Sequence, residues 1–256
     1  MSIKFGPAGL GPVKTAVERL EEYHKIGFEA CEIAFTYGIY IHNEKDAENI
    51  GKAAKKFNIN LSIHAPYWIN LNSKEKIKIE ESKKRILDCC KIGEVLGADV
   101  VVIHAGYYGK MKKDETYENI KTAILDIHKE IKKHNWKIKI APETMGKVNV
   151  FGSIEQIAKL VEDTHCSFCI DFAHILAREK KVDYEKIKSL FKQEKWHCHF
   201  SGINYTEKGE RNHIKTGKDK WKDLLKNLPK NKDITIINES PDMINDSVEG
   251  LKLSNG

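Results

Sequence analysis

Short apolar runs alternate with longer amphipathic stretches from one end of the chain to the other. The apolar runs fall at 3–5, 30–35, 60–63, 100–103, 138–141, 167–170, 197–200 and 234–237. Their length and their β-branched and aromatic content predict buried strands. Between them, apolar residues spaced three and four apart, with lysine-rich outer faces, predict helices at 13–26, 44–57, 74–97, 115–134, 153–163, 183–192 and 218–227. A shorter helix is expected near 244–252, so the last unit should be irregular. Gly27 and Gly97 stand where helices should end. Ser73 and Ser153, each followed within three residues by Glu or Gln, stand where helices should begin.

Alternation of strand and helix over 256 residues gives units of about 30 residues, the size expected of an α/β chain folded as a (β/α)8 TIM barrel. No linker or low-complexity segment interrupts the pattern, so a single TIM-barrel domain is expected over 1–256. A core of this size needs neither disulfides nor oligomerisation, and a monomer is expected. Hydrophobic residues are 41% and charged residues 31%, an ordinary soluble composition. The six cysteines have no secreted-framework spacing, and Cys166–Cys169 lacks the second pair that a structural zinc site wants. They read as reduced packing residues, which with the lack of a signal-like apolar N-terminus points to the cytoplasm. No run approaches a membrane span. The net charge of +6 is mostly lysine, which solvated helix faces explain; it supports a nucleic-acid partner only weakly.

Polar residues fall in a second pattern. The third predicted strand ends in His64 and the fourth in His104. The fifth ends in Glu143, and the sixth in Asp171 with His174 three residues on. The seventh ends in His199 and the eighth in Glu239. Alone, each has a plain explanation: a strand-end histidine is more often a hydrogen-bonded core residue, and a strand-end carboxylate is often a helix cap. His, Asp and Glu make up roughly one residue in five, so six successive hits are not what random placement gives. A barrel aims all six strand ends at one pocket, where such groups are tolerable with cations among them. Mixed nitrogen and oxygen donors suit zinc, manganese or iron, with zinc the natural choice for a histidine-rich site. His174, placed further out on a loop, need not share an ion with Asp171. His213 lies in GERNHIKTG, a charged, Gly-rich loop without a structural pattern. Finally, Tyr67 and Trp68 follow His64 in LSIHAPYWINL, where a solvated loop has little use for two large rings.

The segments HAPYWINL (64–71), IHAG (103–106), PETMG (142–146), DFAHILA (171–177), HFSGIN (199–204) and NESPD (238–242) carry a resemblance. The chain resembles endonuclease IV, the metal-dependent apurinic/apyrimidinic endonuclease of base-excision repair. The xylose-isomerase-like sugar isomerases share the barrel but not this full set.

The resemblance implies three zinc ions. His64, His104 and Glu143 would bind the first; Glu143, as the catalytic bridging carboxylate, with Asp171, His199 and Glu239, the second; His174 and His213 the third. It implies attack on phosphorus by a metal-activated water, 5′ to an abasic site in double-stranded DNA. The family's Asp-x-His reads Arg211-Asn212-His213 here. That leaves the third site open: weaker, empty, completed by Glu210, or replaced in part by the Arg211 charge against a DNA phosphate. Tyr67 and Trp68 would wedge into the duplex beside the flipped nucleotide. Tyr37, in a second-strand loop shorter than the family's, would contribute less to DNA contact. Tyr107 and Tyr108 would line the groove or pack their own loop. Two further readings compete with the endonuclease: a metal-dependent sugar isomerase or epimerase on the same barrel, and a lesion-binding protein with weakened turnover.

Overall fold

The apolar runs become parallel strands in the computed structural model, which describes residues 2–256. The strands are β1 (Ser2–Pro7), β2 (Ala30–Ala34), β3 (Asn60–His64), β4 (Val100–Ile103), β5 (Lys139–Pro142), β6 (Cys169–Asp171), β7 (Lys195–Phe200), β8 (Gly202–Thr206), β9 (Gly209–Ile214) and β10 (Asp233–Asn238). The helices are α1 (Ala16–Ile26), α2 (Glu44–Lys56), α3 (Lys76–Leu96), α4 (Lys113–Lys133), α5 (Ile154–Thr164), α6 (Phe172–Glu179), α7 (Tyr184–Leu190), α8 (Lys218–Asn227) and α9 (Met243–Ser254).

Among the described residues, hydrogen bonding sorts the strands into two four-stranded parallel sheets, β1-β10-β7-β6 and β2-β3-β4-β5, plus the antiparallel hairpin β8–β9. The two sheets meet along two seams and so complete a TIM barrel. At the first, the Glu29 amide donates to the Phe5 carbonyl at 3.2 Å. Gly6 packs there against β2 so closely that a Cβ on it would lie 1.7 Å from the Ala30 carbonyl oxygen, so no larger residue fits. At the second seam Glu143 bridges to Cys169, and the Thr144 amide donates to the Cys169 carbonyl at 3.0 Å. Glu143 thus stands at a join between half-sheets, just past the end of β5.

Register aligns the strand ends. His64 pairs with Ala34 and Val102, Asp171 with His199, and His199 with Ile237. Because side chains alternate along a strand, Glu239, two residues beyond Ile237, lies on the face that His199 shares. The outward faces and the helices form the main apolar core, with Leu20, Ile33, Ile63, Ile103 and Ile140 fully or nearly fully buried. Trp221 of α8 sits edge-on to both Phe5 and Phe200, tying that helix to β1 and β7. Inside the barrel the packing is divided. Val100, Val102, Ala141 and Cys169 form a small separate apolar core. Against it lie buried polar groups of β2, β3 and β7: Glu32, Ser62, His197 and His199.

Helix ends follow the sequence in part. Gly27 and Gly97 take left-handed conformations, with φ of 97° and 70°, and close α1 and α3. Ser153 heads α5 in a capping box with Gln156. Ser73 does not cap α3; that helix starts after Glu75, and the Ser73 hydroxyl instead accepts the Glu75 amide in the preceding turn. The closing helix is not stunted, since α9 runs 12 residues. Two larger differences bear on the site. An extra helix, α6, begins directly after Asp171, so His174 is helical rather than out on a loop. The segment holding His213 is not a loop but β9 of the hairpin. The cysteines at 31, 89, 90, 166, 169 and 198 are free and buried. Among the described residues, no helix is long and apolar enough to cross a membrane.

Candidate metal centre

Parallel strands all deliver their C-terminal ends to one rim, and the polar residues converge there. Glu143 is the hub. Its Oε2 lies 3.0 Å from His104 Nε2 and 3.4 Å from His64 Nε2. Its Oε1 lies 3.1 Å from His174 Nδ1 and 3.3 Å from His199 Nδ1. His199 Nδ1 is also 3.3 Å from Glu239 Oε2. Asp171 Oδ1 caps α6 by accepting the His174 amide at 2.7 Å, which leaves Oδ2 facing inward.

These atoms are close without being bonded. Both Glu143 oxygens, Asp171 Oδ2 and both His199 nitrogens are buried and have no hydrogen-bond partner. Buried polar atoms are normally paired, and a cluster of orphans costs the full desolvation of each. The donors aim at common points rather than at one another. Three sets at the rim each bring one ligand atom per residue within 4.8 Å: His64–His104–Glu143, Glu143–Asp171–His199–Glu239, and Asp171–His174–His213. The residues therefore fit a metal centre. Each set combines imidazole with carboxylate, and Glu143 and Asp171 each belong to two sets.

Neighbouring groups fix the tautomers. His64 Nδ1 is 2.8 Å from the Ala65 carbonyl and His174 Nδ1 is 3.0 Å from the Thr144 carbonyl. A carbonyl only accepts, so each Nδ1 carries the proton and each Nε2 presents a lone pair. Ser201 gives its proton to the Gly202 carbonyl and so accepts from His213 Nδ1 at 2.7 Å. His213 Nε2 then faces His174 Nε2 at 3.3 Å. Two lone pairs at that distance repel unless a proton or a cation lies between them.

The hairpin explains how residue 211 relates to this pair. Across β8–β9, Asn204 pairs with Asn212 while Tyr205 pairs with Glu210, so Arg211 is the extra residue of a β-bulge. The bulge offsets the alternation by one. Glu210 and His213, three apart, therefore share a face, and Arg211 is turned out and exposed. Glu210 Oε2 comes within 3.4 Å of His174 Nε2, and Oε1 within 3.9 Å of His213 Nε2. Gly146 makes the room, since a Cβ there would lie 2.7 Å from the Glu210 Cβ. An arginine charge beside the imidazoles is thus not what the structure holds; a carboxylate occupies that place.

Charge sharing is visible in the acidities. Burial alone would push the Glu143 carboxyl up, but the His104 and His199 imidazoles outweigh it and hold it well below the usual range. Glu239 is likewise held down to about 2, His199 overcoming its burial. Asp171 goes the other way, to about 6, because burial is reinforced by the Glu143 and Glu239 charges. Burial lowers His104. It opposes the proton on His174, yet the Asp171 and Glu143 carboxylates raise that residue well above an ordinary histidine.

The rim carries the aromatics. Tyr67 stacks on His104 at 5.2 Å and 15°, and meets His64 edge-on. It is 45% exposed and Trp68 49%, so neither is a core ring. Tyr37 stands out at 87%. Tyr107 is exposed, whereas Tyr108 is half-buried, its hydroxyl donating to Gln156 at 2.8 Å. Sequence reasoning missed Glu32, which is fully buried in mid-β2 beneath this centre, and missed its neighbours Cys169 and His197. Its signal was a lone carboxylate within ACEIAF, in phase with the inward side of the strand.

The pattern of strands and ligands has relatives. A family model described as a xylose isomerase-like TIM barrel matches residues 20–254. The chain belongs to the xylose isomerase-like TIM barrel family. A protein of Methanocaldococcus jannaschii described only as uncharacterized is 35% identical, over 98% of this chain and 96% of that protein. One of Ureaplasma parvum serovar 3, carrying the name Probable endonuclease 4, is 29% identical over 54% of this chain and 48% of its own length. The match to this endonuclease relative thus spans about half of it. Among solved structures, endonuclease IV from Thermus thermophilus superposes with a TM-score of 0.72 at 18% identity, over 98% of this chain and 97% of that one. D-psicose 3-epimerase from Clostridium cellulolyticum does so with 0.68 at 14%, over 93% and 92%. At these identities the two structures share the barrel, and both hydrolases and epimerases occur on it.

Proposed function

We propose that this member of the xylose isomerase-like barrels is a metal-dependent, endonuclease IV-like phosphodiesterase that cleaves DNA 5′ to abasic sites. One observation carries the reading. Donor sets lie on both sides of Glu143, with His64 and His104 at one carboxylate oxygen and His199, grouped with Asp171 and Glu239, at the other. A one- or two-metal sugar isomerase or epimerase would need only about four of these ligands, and Glu143, Asp171, His199 and Glu239 would supply them. It leaves His64, His104 and the His174–His213 pair without work.

In this reading Glu143 would be shared by two cation sites. His64 and His104 complete the first site; Asp171, His199 and Glu239 complete the second. His174, His213 and Glu210 form the third, Glu210 replacing the family's aspartate by way of the bulge at Arg211. Zinc suits the donors, with manganese or iron as substitutes. Bound divalent ions would supply an acidified water and charge neutralisation at phosphorus. The protein's own part is positional. Thr144 accepts His174 Nδ1–H on its carbonyl and the Asp171 backbone amide on its hydroxyl, which holds the His174 ring and the start of α6. Tyr67 keeps its hydroxyl proton, because burial and then the Glu239 and Glu143 charges push its pKa up, so it donates to a phosphate or sugar oxygen. Trp68 fills the place of a displaced base, and exposed Arg211 and Tyr37 contact the backbone.

Single-turnover cleavage of an abasic duplex, with and without chelator, is the test. Cleavage that chelator abolishes supports the proposal. Tight binding without cleavage points to the lesion-binding reading. Neither binding nor cleavage, with turnover of a ketose in its place, points to the epimerase.

A further inference from the structure

We infer that Glu32 is a positioning residue of the metal centre, holding His199 by its far nitrogen so that Nδ1 points at Glu143 and Glu239. The inference deepens the metal-centre reading and rests on it.

A TIM-barrel interior is ordinarily filled by branched apolar side chains. Here a carboxylate lies in it with no solvent exposure. Burying a charge is costly unless partners compensate it. Glu32 Oε2 accepts from Ser62 Oγ at 2.8 Å and from His197 Nε2 at 3.1 Å. These two bonds from β3 and β7 fix the plane of the carboxylate. Its other oxygen, Oε1, has no hydrogen-bond partner and lies 3.0 Å from His199 Nε2. An oxygen of a carboxylate only accepts. With a cation among the rim carboxylates, His199 would turn Nε2–H to Glu32 Oε1 and keep the lone pair on Nδ1, which lies 3.3 Å from both Glu143 Oε1 and Glu239 Oε2. A carboxylate behind a ligating imidazole sets its tautomer and ring angle and raises its basicity.

The layout accounts for His197 as well. His197 and His199 are two apart on β7 and share the inward face, and both turn Nε2 to the same carboxylate. Glu32 is a single brace across the barrel from β2 to β7, the strands of the two half-sheets. Beside the two histidines Val100, Val102, Ala141 and Cys169 form a small buried apolar cluster, with Cys169 Sγ within 4.8 Å of His197 and His199.

The experiment is chelator-competition titration of zinc and cobalt(II), with the visible absorption of the cobalt form, on wild type, Glu32→Gln and Ser62→Ala. Glu32→Gln keeps the shape and an oxygen for Ser62 and His197, but removes the charge and sets an amide N–H against His199 Nε2–H. It is expected to weaken the site containing His199 by about 10- to 100-fold. It should also shift the cobalt bands, with helix content and unfolding temperature little changed. Ser62→Ala, which only frees the carboxylate, should weaken the same site less and cover the case where Glu32→Gln fails to fold. If both folded variants hold metal as wild type does, with the same spectrum, Glu32 is no positioning residue. If wild type itself binds neither metal, the metal-centre reading falls and the inference with it.

Discussion

Glu143 Oε2 lies 3.0 Å from His104 Nε2, and the two atoms are not hydrogen-bonded. The same holds 3.3 Å away on the other oxygen, at His199 Nδ1. A carboxylate ringed by imidazoles at bonding distance but out of line is what separate convergence points require. Replacing Glu143 by Ala or Gln should lower cleavage of an abasic duplex by about a thousandfold or more. Bound metal should fall as well, with the circular dichroism of the barrel retained. Wild-type turnover in Glu143→Ala would show that this residue does not join two ions.

The bulge at Arg211 separates two neighbours that sequence alone sets side by side. Glu210→Ala should lose one equivalent of metal and slow cleavage. Arg211→Ala should keep all metal and weaken DNA binding across sequences, reducing the slope of log affinity against log salt by about 1. Gly146→Ala should imitate Glu210→Ala, because the added methyl would occupy the space of the Glu210 Cβ. Elemental analysis and salt titration distinguish these outcomes, and loss of metal in Arg211→Ala would reverse the assignment.

Sequence showed the rim better than the barrel interior or the insertions. His104 was legible because it follows an unbroken apolar run, VVVIH, and His64 because it closes a short strand-like alternation, NLSIH, just before Pro66. Helix α6 was not, because Asp171 both ends β6 and caps the helix, so no turn residue marks the change. The β8–β9 hairpin was hidden by its bulge and its exposure: the extra residue breaks the two-residue period, and both faces are largely polar. Glu32 was hidden by its setting, since one carboxylate inside an apolar run reads as noise until β7 is seen opposite it. Proximity of Glu210 to His174 depends on register between segments 36 residues apart, which no local pattern encodes.

Trp68 is half-exposed beside the centre, so its removal should not disturb the core. Trp68→Ala is expected to weaken binding to abasic DNA by about 1–3 kcal/mol, the range for one aromatic–base stack. Metal content and unfolding temperature should stay at wild-type values. An unchanged dissociation constant for abasic DNA would remove the ring from the DNA contact.

Buried thiols are expected to weaken the fold at alkaline pH. Burial pushes Cys90 up to about 12 and Cys166 up to about 11, against an unfolded thiol near 8.5. A raised acid holds its proton in the folded state while the unfolded chain gives it up. The stability these thiols contribute is therefore fully present below the unfolded value and is lost as pH rises towards the folded values. The unfolding temperature should fall between about pH 9 and pH 11, less steeply in a Cys90→Ala variant. An equal slope in that variant would remove Cys90 from the effect.

Metal stoichiometry of the purified chain, by elemental analysis after exhaustive dialysis, tests the central claim most directly. The account predicts about two to three equivalents of divalent transition metal per chain, falling by about one in Glu210→Ala. A single equivalent, or none, with Glu143 and its histidines unperturbed by added zinc, would contradict it.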